Sequence, residues 1–184
     1  SQVANAHARF ADVLQKASER LPEGPGKQGL LQRRADLLQG VLGDQVAAIE
    51  AHRGILSRDP GALSSLDALA EIYGKRDSWT ELKDILERRI QVSSPVDAPA
   101  WCARLGSLLI ERFDDLAAAR APLEGAFAGE GGNGKPGALT GEARRRAIEH
   151  LVAVYNKESE DGVADVDTVE KLAWALGELA GTLA

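Results

Sequence analysis

The chain repeats itself. At an offset of 71 positions, Leu30–Leu56 aligns with Trp101–Phe127 without a gap. Identities fall at Arg33 and Arg104, Leu37 and Leu108, Leu38 and Leu109, Asp44 and Asp115, Ala47 and Ala118, Ala48 and Ala119, and Gly54 and Gly125. They lie on two apolar stripes of helical period and on the turn between them, so one hairpin-sized unit occurs twice. Phe10 matches Trp79 at an offset of 69, each opening the stripe of its helix. Leu66-x-x-Leu69-x-x-x-Tyr73-x-Lys75 matches Ile148-x-x-Leu151-x-x-x-Tyr155-x-Lys157 at an offset of 82, the larger value that a Gly-rich insertion between them would produce. A two-helix unit this small cannot bury its apolar face alone and must stack on its neighbours. The expected fold class is therefore all-α: an antiparallel helix-hairpin solenoid of about nine helices.

Leu66–Ile90 is the best-marked hairpin. Leu66, Leu69, Ala70 and Tyr73 form one helical face, and Gly74-Lys75-Arg76-Asp77 breaks it. Ser78-Trp79-Thr80-Glu81 then supplies an S-x-x-E capping box for a second helix with the stripe Trp79, Leu82, Leu86 and Ile90. Elsewhere the pattern predicts helices over residues 3–21 (stripe Phe10, Val13, Leu14, Ala17), 27–42, 44–56, 98–112, 114–128, 142–157 (Ile148, Leu151, Val152, Tyr155) and 167–182 (Val169, Leu172, Leu176, Leu179). Asp59-Pro60 reads as an N-cap with Pro at the first helical position, and Pro122 as a bend inside the seventh helix. The expected organisation is a hairpin array over 1–128, made of a leading half and three hairpins, then a flexible Gly-rich loop over 129–141, then a C-terminal hairpin over 142–184.

Composition narrows the function classes. Apolar residues make up 44% of the 184, and Lys plus Arg total 22 against 28 Asp plus Glu, a net charge of −6. A general nucleic-acid binder needs a basic surface, and an anionic membrane would repel this one. No apolar run reaches the roughly 18 residues of a membrane span. Cys102 is the single cysteine, which excludes an internal disulfide and favours a reducing compartment such as the cytoplasm. A start at Ser1, inside a repeat and with no Met in the chain, reads as a piece of a longer protein.

The chain resembles the tetratricopeptide-repeat family. Leu66, Leu69, Ala70 and Tyr73 stand where that family's Trp-x-x-Leu-Gly-x-x-Tyr falls, and Leu82 and Leu86 take the places of its later Ala and aromatic. In the preceding hairpin, Gly43-Asp44, Ala48-Ile49 and Asp59-Pro60 match the turn, second helix and closing Pro. The first helices of that hairpin and of the third (at Leu105-Gly106) are each one residue long relative to the pattern. The resemblance implies a non-catalytic scaffold whose first helices line a concave groove that binds a partner protein or peptide. The groove positions it assigns are Gln32, Asp36 and Gln39; Asp67, Glu71 and Lys75; Arg104, Ser107 and Glu111; and Arg146, Glu149 and Asn156. Trp174, off the stripe of the last helix, is a further candidate contact. Family members that clamp a peptide's C-terminal carboxylate use Lys and Asn where Asp67 and Glu71 stand, so that subtype is rejected. The alternative readings are a regulatory module of a larger enzyme and a stacking element of an assembly.

No motif points to a cofactor, a metal or catalysis. Gly129-Glu130-Gly131-Gly132-Asn133-Gly134 fits G-x-G-x-x-G, but a helix precedes it and Pro136 follows, where a dinucleotide site needs a strand and then a helix. Gly24-Pro25-Gly26-Lys27-Gln28 lacks the spacing of a phosphate loop. His7, His52 and His150 occupy three helices as surface or packing residues, and no G-x-S-x-G elbow exists. Cys102 lies on an apolar stripe and reads as a buried small residue. Arg144-Arg145-Arg146 is a solvated run or a contact for an acidic segment, and the carboxylates of 158–167 form a turn without a calcium-loop pattern.

Overall fold

The computed structural model describes residues 2–127 and 139–182. Among these, nine α-helices follow one another with no strand: α1 (Gln2–Arg20), α2 (Pro25–Asp36), α3 (Gln45–Leu56), α4 (Leu63–Lys75), α5 (Trp79–Gln91), α6 (Ala98–Phe113), α7 (Leu116–Ala126), α8 (Gly141–Glu160) and α9 (Val166–Thr182). Of the Gly-rich loop expected over residues 129–141, residues 129–138 lie outside those described, while Leu139 is buried and Gly141 begins α8. The chain divides into two compact units, Ser1–Ser78 and Trp79–Ala184, with α4 closing one and α5 opening the other. In the first unit α1 packs on α2, α2 on α3, and α3 on α4. In the second, α5 packs on α6, α6 on α7, α7 on α8 and α8 on α9, with α6 also touching α8. Helices paired with their sequence neighbours in this way are the helix-hairpin solenoid fold.

The repeat survives in atomic detail at its turns. Gly43 ends the first copy in the left-handed region at φ 65°, and Asp114 does the same in the second at φ 53°. The next amide then reaches back six residues in both copies, Asp44 to the Leu38 carbonyl and Asp115 to the Leu109 carbonyl, each at 3.0 Å. Asp44 and Asp115 turn their carboxylates forward to cap the following helix, accepting from the amides of Ala47 at 3.0 Å and Ala118 at 2.8 Å. In the first copy a π-helical stretch, Leu37–Leu42, continues α2 into the turn.

Small residues let the paired helices approach. At Gly106 a Cβ would lie 2.4 Å from Cγ of Leu123, a fully buried side chain on α7. Ala35 holds the corresponding place in the first copy and is fully buried. The residue that corresponds to Leu123 there is His52, also fully buried. Its Nδ1 lies 3.2 Å from the Ser65 hydroxyl, and its Nε2 has no hydrogen-bond partner among the described residues. Burial pushes the His52 pKa down, against a smaller upward pull from Asp36, so the ring is held neutral in the core.

Four expectations are corrected. Asp59-Pro60 does not open α4. Asp59 instead accepts the Gly61 amide through its side chain at 3.1 Å and the Ala62 amide through its carbonyl at 3.1 Å, an Asx-type turn that delays the helix to Leu63. The second helix starts at Pro25, where proline's fixed φ suits a first turn. On α1 the inward face is Ala11, Leu14 and Ser18, while Phe10 and Val13 are exposed; Phe10 lies under the Arg33 guanidinium, 5.7 Å from its ring centroid. On α9 the buried residues are Thr168 and Ala175, with Val169 and Leu176 exposed and Leu172 and Leu179 half-buried. On α9 the inward residues are small, and on α1 Ala11 and Ser18 flank the larger Leu14. Elsewhere the stripes hold at their centres: Leu66, Leu69, Ala70, Tyr73, Leu82, Leu86, Ile148, Leu151 and Tyr155 are buried, while on α5 Trp79 and Ile90 are half-buried and Ile85 is buried, and on α8 Val154 is buried in preference to the half-buried Val152. Cys102 is buried as expected, and burial pushes its thiol pKa up.

Two measurements test these packing assignments. Gly106→Ala forces Leu123 out of its place and is expected to destabilise the chain by about 1–3 kcal/mol in urea unfolding; an unchanged midpoint would show that the α6–α7 contact is looser than described. At the second turn, Asp115→Ala removes a cap and is expected to cost about 1 kcal/mol. Asp114→Gly relieves a left-handed residue and is expected to raise the melting temperature. Shifts of the same sign in these two variants would contradict the turn geometry.

Candidate functional site

The groove positions assigned from the sequence fall on α2 and its π-helical continuation (Gln39), α4, α6 and α8, the first helices of the hairpins. In the first unit they fall into two hydrogen-bonded groups, one around Gln32 and one around Glu71. Gln32 donates to Asp36 at 2.8 Å, and its amide oxygen accepts from the Ser64 and Ser65 hydroxyls at 3.2 and 3.3 Å. Gln39 donates to Glu71 at 3.5 Å, and Lys75 pairs with Glu71 at 2.6 Å. Asp36, Glu71 and Lys75 are exposed, whereas Asp67 is half-buried. Lys75 stands against three carboxylates, so this polar face is acidic.

In the second unit the face is built on α6 and α8, and its charge differs. A cavity of about 470 Å³ opens between these helices. Its apolar wall is Ala100, Ala103, Leu139 and Ala143, and its polar groups are Arg104, Ser107, Glu142 and Arg146. Beside it, His150 joins two of the assigned residues: its Nδ1 is 3.1 Å from the Ser107 hydroxyl and its Nε2 is 3.7 Å from a Glu111 carboxylate oxygen. Glu149 lies 3.8 Å from Arg145, and Asn156 is exposed farther along α8. Trp174 lies on α9 outside the cavity lining, edge-on to Phe127 with ring centroids 5.4 Å apart and planes at 71°.

The Ser107–His150–Glu111 group has the residue types of a nucleophilic triad but not its working parts. The His150–Glu111 separation exceeds a hydrogen bond. Ser107 sits in the interior of α6, where the neighbouring amides are committed to the helix and cannot serve an oxyanion. Among the described residues, no group of three or more His, Cys, Asp and Glu side chains is placed to hold a metal, and no helix is long and apolar enough to cross a membrane.

A second polar cluster, behind the α6–α8 face, is structural. Glu124 accepts from Arg120 Nε and from the Tyr155 hydroxyl at 3.0 Å each and from Lys171 at 3.2 Å, while Arg120 also reaches Glu158 at 2.7 Å. Burial works to raise the Glu124 carboxyl, but these three donors outweigh it and hold its pKa below the usual range. Burial and the bond to Glu124 push the Tyr155 phenol up, so it stays a donor.

The sequence reading missed His150 and the alanine wall as parts of the face. The signal was present for His150, four residues after Arg146 and therefore on the same side of α8. Ala100, Ala103 and Ala143 give no signal of their own, because a small residue lining a cavity reads like one filling a core.

No family model matches this sequence, and no curated protein is found to match it. Among solved structures the chain is similar to the crystal structure of YrrB, described as a TPR protein with an unusual peptide-binding site. The similarity covers 94% of this chain and 97% of that one, with a TM-score of 0.51 and 16% sequence identity. The fold is thus the one the sequence resemblance implied, a tetratricopeptide-type arrangement of helical hairpins.

His150 carries a pH prediction. Burial lowers its pKa, with Glu111 and Glu149 pulling it up and Arg146 pushing it down. Its folded value lies below the ordinary 6.5, so the unfolded chain takes up this proton first as pH falls. The contribution of neutral His150 is present in full above 6.5 and is lost as pH drops through the folded pKa. Urea midpoints from about pH 7.5 to about pH 5 are expected to fall less steeply for His150→Gln than for the natural chain; parallel curves would exclude this role.

Proposed function

We propose that the chain is a non-catalytic scaffold that binds a partner protein or peptide along the first-helix faces of its hairpins. The observation that carries this reading is the α6–α8 cavity. It has an apolar wall with a few polar groups at its edge, on rigid elements, which is the make-up of a preformed binding site. The linked polar side chains of α2 and α4 offer a second face with directional donors and acceptors. The peptide-binding description of the similar solved structure agrees with it. Binding to a prepared surface avoids the ordering cost that a flexible binder incurs.

The test is a selection of displayed random peptides on the intact chain, followed by hydrogen-exchange mapping of the enriched ones. Protection is expected at the faces of α2, α4, α6 and α8. Failure to enrich any peptide, or protection confined to α3, α5 and α7, would overturn the scaffold reading.

A further inference from the structure

We propose that His52 is an acid-sensitive latch: while neutral it holds α3 against α4 in the core of the first unit, and a proton on its Nε2 opens that contact. This stands apart from the scaffold reading, since it concerns the fold of one unit and its readouts need no ligand. Side chains from three helices meet at the latch. His52 on α3 and Ser65 on α4 are both fully buried, and the His52 Nδ1 lies 3.2 Å from the Ser65 hydroxyl. Ser65 in turn donates to the amide oxygen of Gln32 on α2 at 3.3 Å. Counting protons then assigns the tautomer. A serine hydroxyl has one proton, and Ser65 gives it to Gln32. The Ser65 oxygen therefore accepts from His52, which places the ring proton on Nδ1 and leaves Nε2 bare.

A bare Nε2 without a partner is tolerated at modest cost. A proton there creates a buried donor and a full charge with nothing to receive either, so the closed core rejects it. The charged ring reaches water only if α3 and α4 part, and Ser65 then lets go of Gln32. The surrounding charges give no relief. On α2, Asp36 pulls the ring's pKa up, but burial outweighs it, and its carboxylate already accepts from Gln32 at 2.8 Å, while Arg33 and Arg34 are cations. The π-helical stretch carries no titratable residue. On α4, Glu71 is paired with Lys75 at 2.6 Å, Asp67 is half-buried, and Tyr73 is a buried phenol. On α3 itself Glu50 and Arg53 are exposed. None of these groups is a hydrogen-bond partner of Nε2. In the second copy Leu123 stands at the place of His52, so that site has nothing to titrate.

Burial holds the ring's folded pKa below its ordinary 6.5. The latch is therefore closed in full above 6.5 and weakens as pH falls toward the folded value. The test is hydrogen exchange read by mass spectrometry on the intact chain, from about pH 7.5 to about pH 5, corrected for the intrinsic pH dependence of exchange. Below 6.5, protection of the α3 and α4 amides is expected to fall about tenfold for each pH unit. His52→Leu, which installs the residue of the second copy, is expected to remove that dependence from α3 and α4 and to leave any in α6 and α8 unchanged. NMR of the histidine rings in the natural chain is a second readout that needs no variant to fold. It is expected to show the Nδ1–H tautomer of His52 persisting below pH 6.5 in the closed state. An Nε2–H tautomer would overturn the proposal. Titration of the ring near 6.5 with protection unchanged would do so too, because another acceptor would then be serving Nε2. Protection of α3 and α4 that is constant with pH, or that falls as steeply in His52→Leu, would also overturn it.

Discussion

Each hairpin of the repeat depends on a reversal made in two residues. A helix end leaves carbonyls without partners, and the next helix start leaves amides without partners. Gly43-Asp44 and Asp114-Asp115 satisfy both sets at once. The left-handed residue lets the following amide return to a carbonyl six residues back, and the aspartate then caps the helix that follows. Because the connection is so short, the two helices must lie antiparallel and adjacent. The close contact of Gly106 with Leu123 follows from that proximity and not from hydrophobicity alone.

The aspartate cap fixes where α3 starts, and just upstream of it the first copy runs through the π-helical stretch Leu37–Leu42. The same hairpin places a histidine in its core. His52 occupies the place of Leu123, is held neutral by burial, and finds the Ser65 hydroxyl on one side. Its Nε2 has no hydrogen-bond partner among the described residues, a cost that an apolar residue would not carry.

The sequence made the fold legible where large apolar residues and turn chemistry coincide, as at Leu66, Leu69 and Tyr73 or at Asp44 and Asp115. It misled in α1 and α9, where small residues share the inward face. Ala11, Ser18, Thr168 and Ala175 are buried there, with Leu14 on α1, while Phe10, Val13, Val169 and Leu176 stay outside. A hydrophobic stripe ranks residues by apolar area and so selects the larger ones. Trp174 illustrates the limit: it is off the expected stripe and 40% exposed, yet it packs edge-on against Phe127. The proposed binding face rests on polar positions of the first helices that the sequence already picked out. Its cavity was not legible, because alanines that line a space and alanines that fill one have the same periodicity.

The polar contacts sort into two kinds, and the sorting bears on function. Around Glu124 the donors Arg120, Tyr155 and Lys171 converge on a half-buried carboxylate, and removing any one leaves the others imperfectly satisfied. Such a network belongs to the fold and cannot be exchanged for a ligand at small cost. On the first-helix faces the pairs are of another kind. Lys75 and Glu71 are both more than half exposed, and the bonds of Gln32 to Asp36 and Gln39 to Glu71 lie in solvent. Exposed pairs of this sort contribute roughly 0–1 kcal/mol each. A partner can therefore replace them one for one without unfolding anything. The face is held in position by its own exposed hydrogen bonds, which suits the proposed binding role.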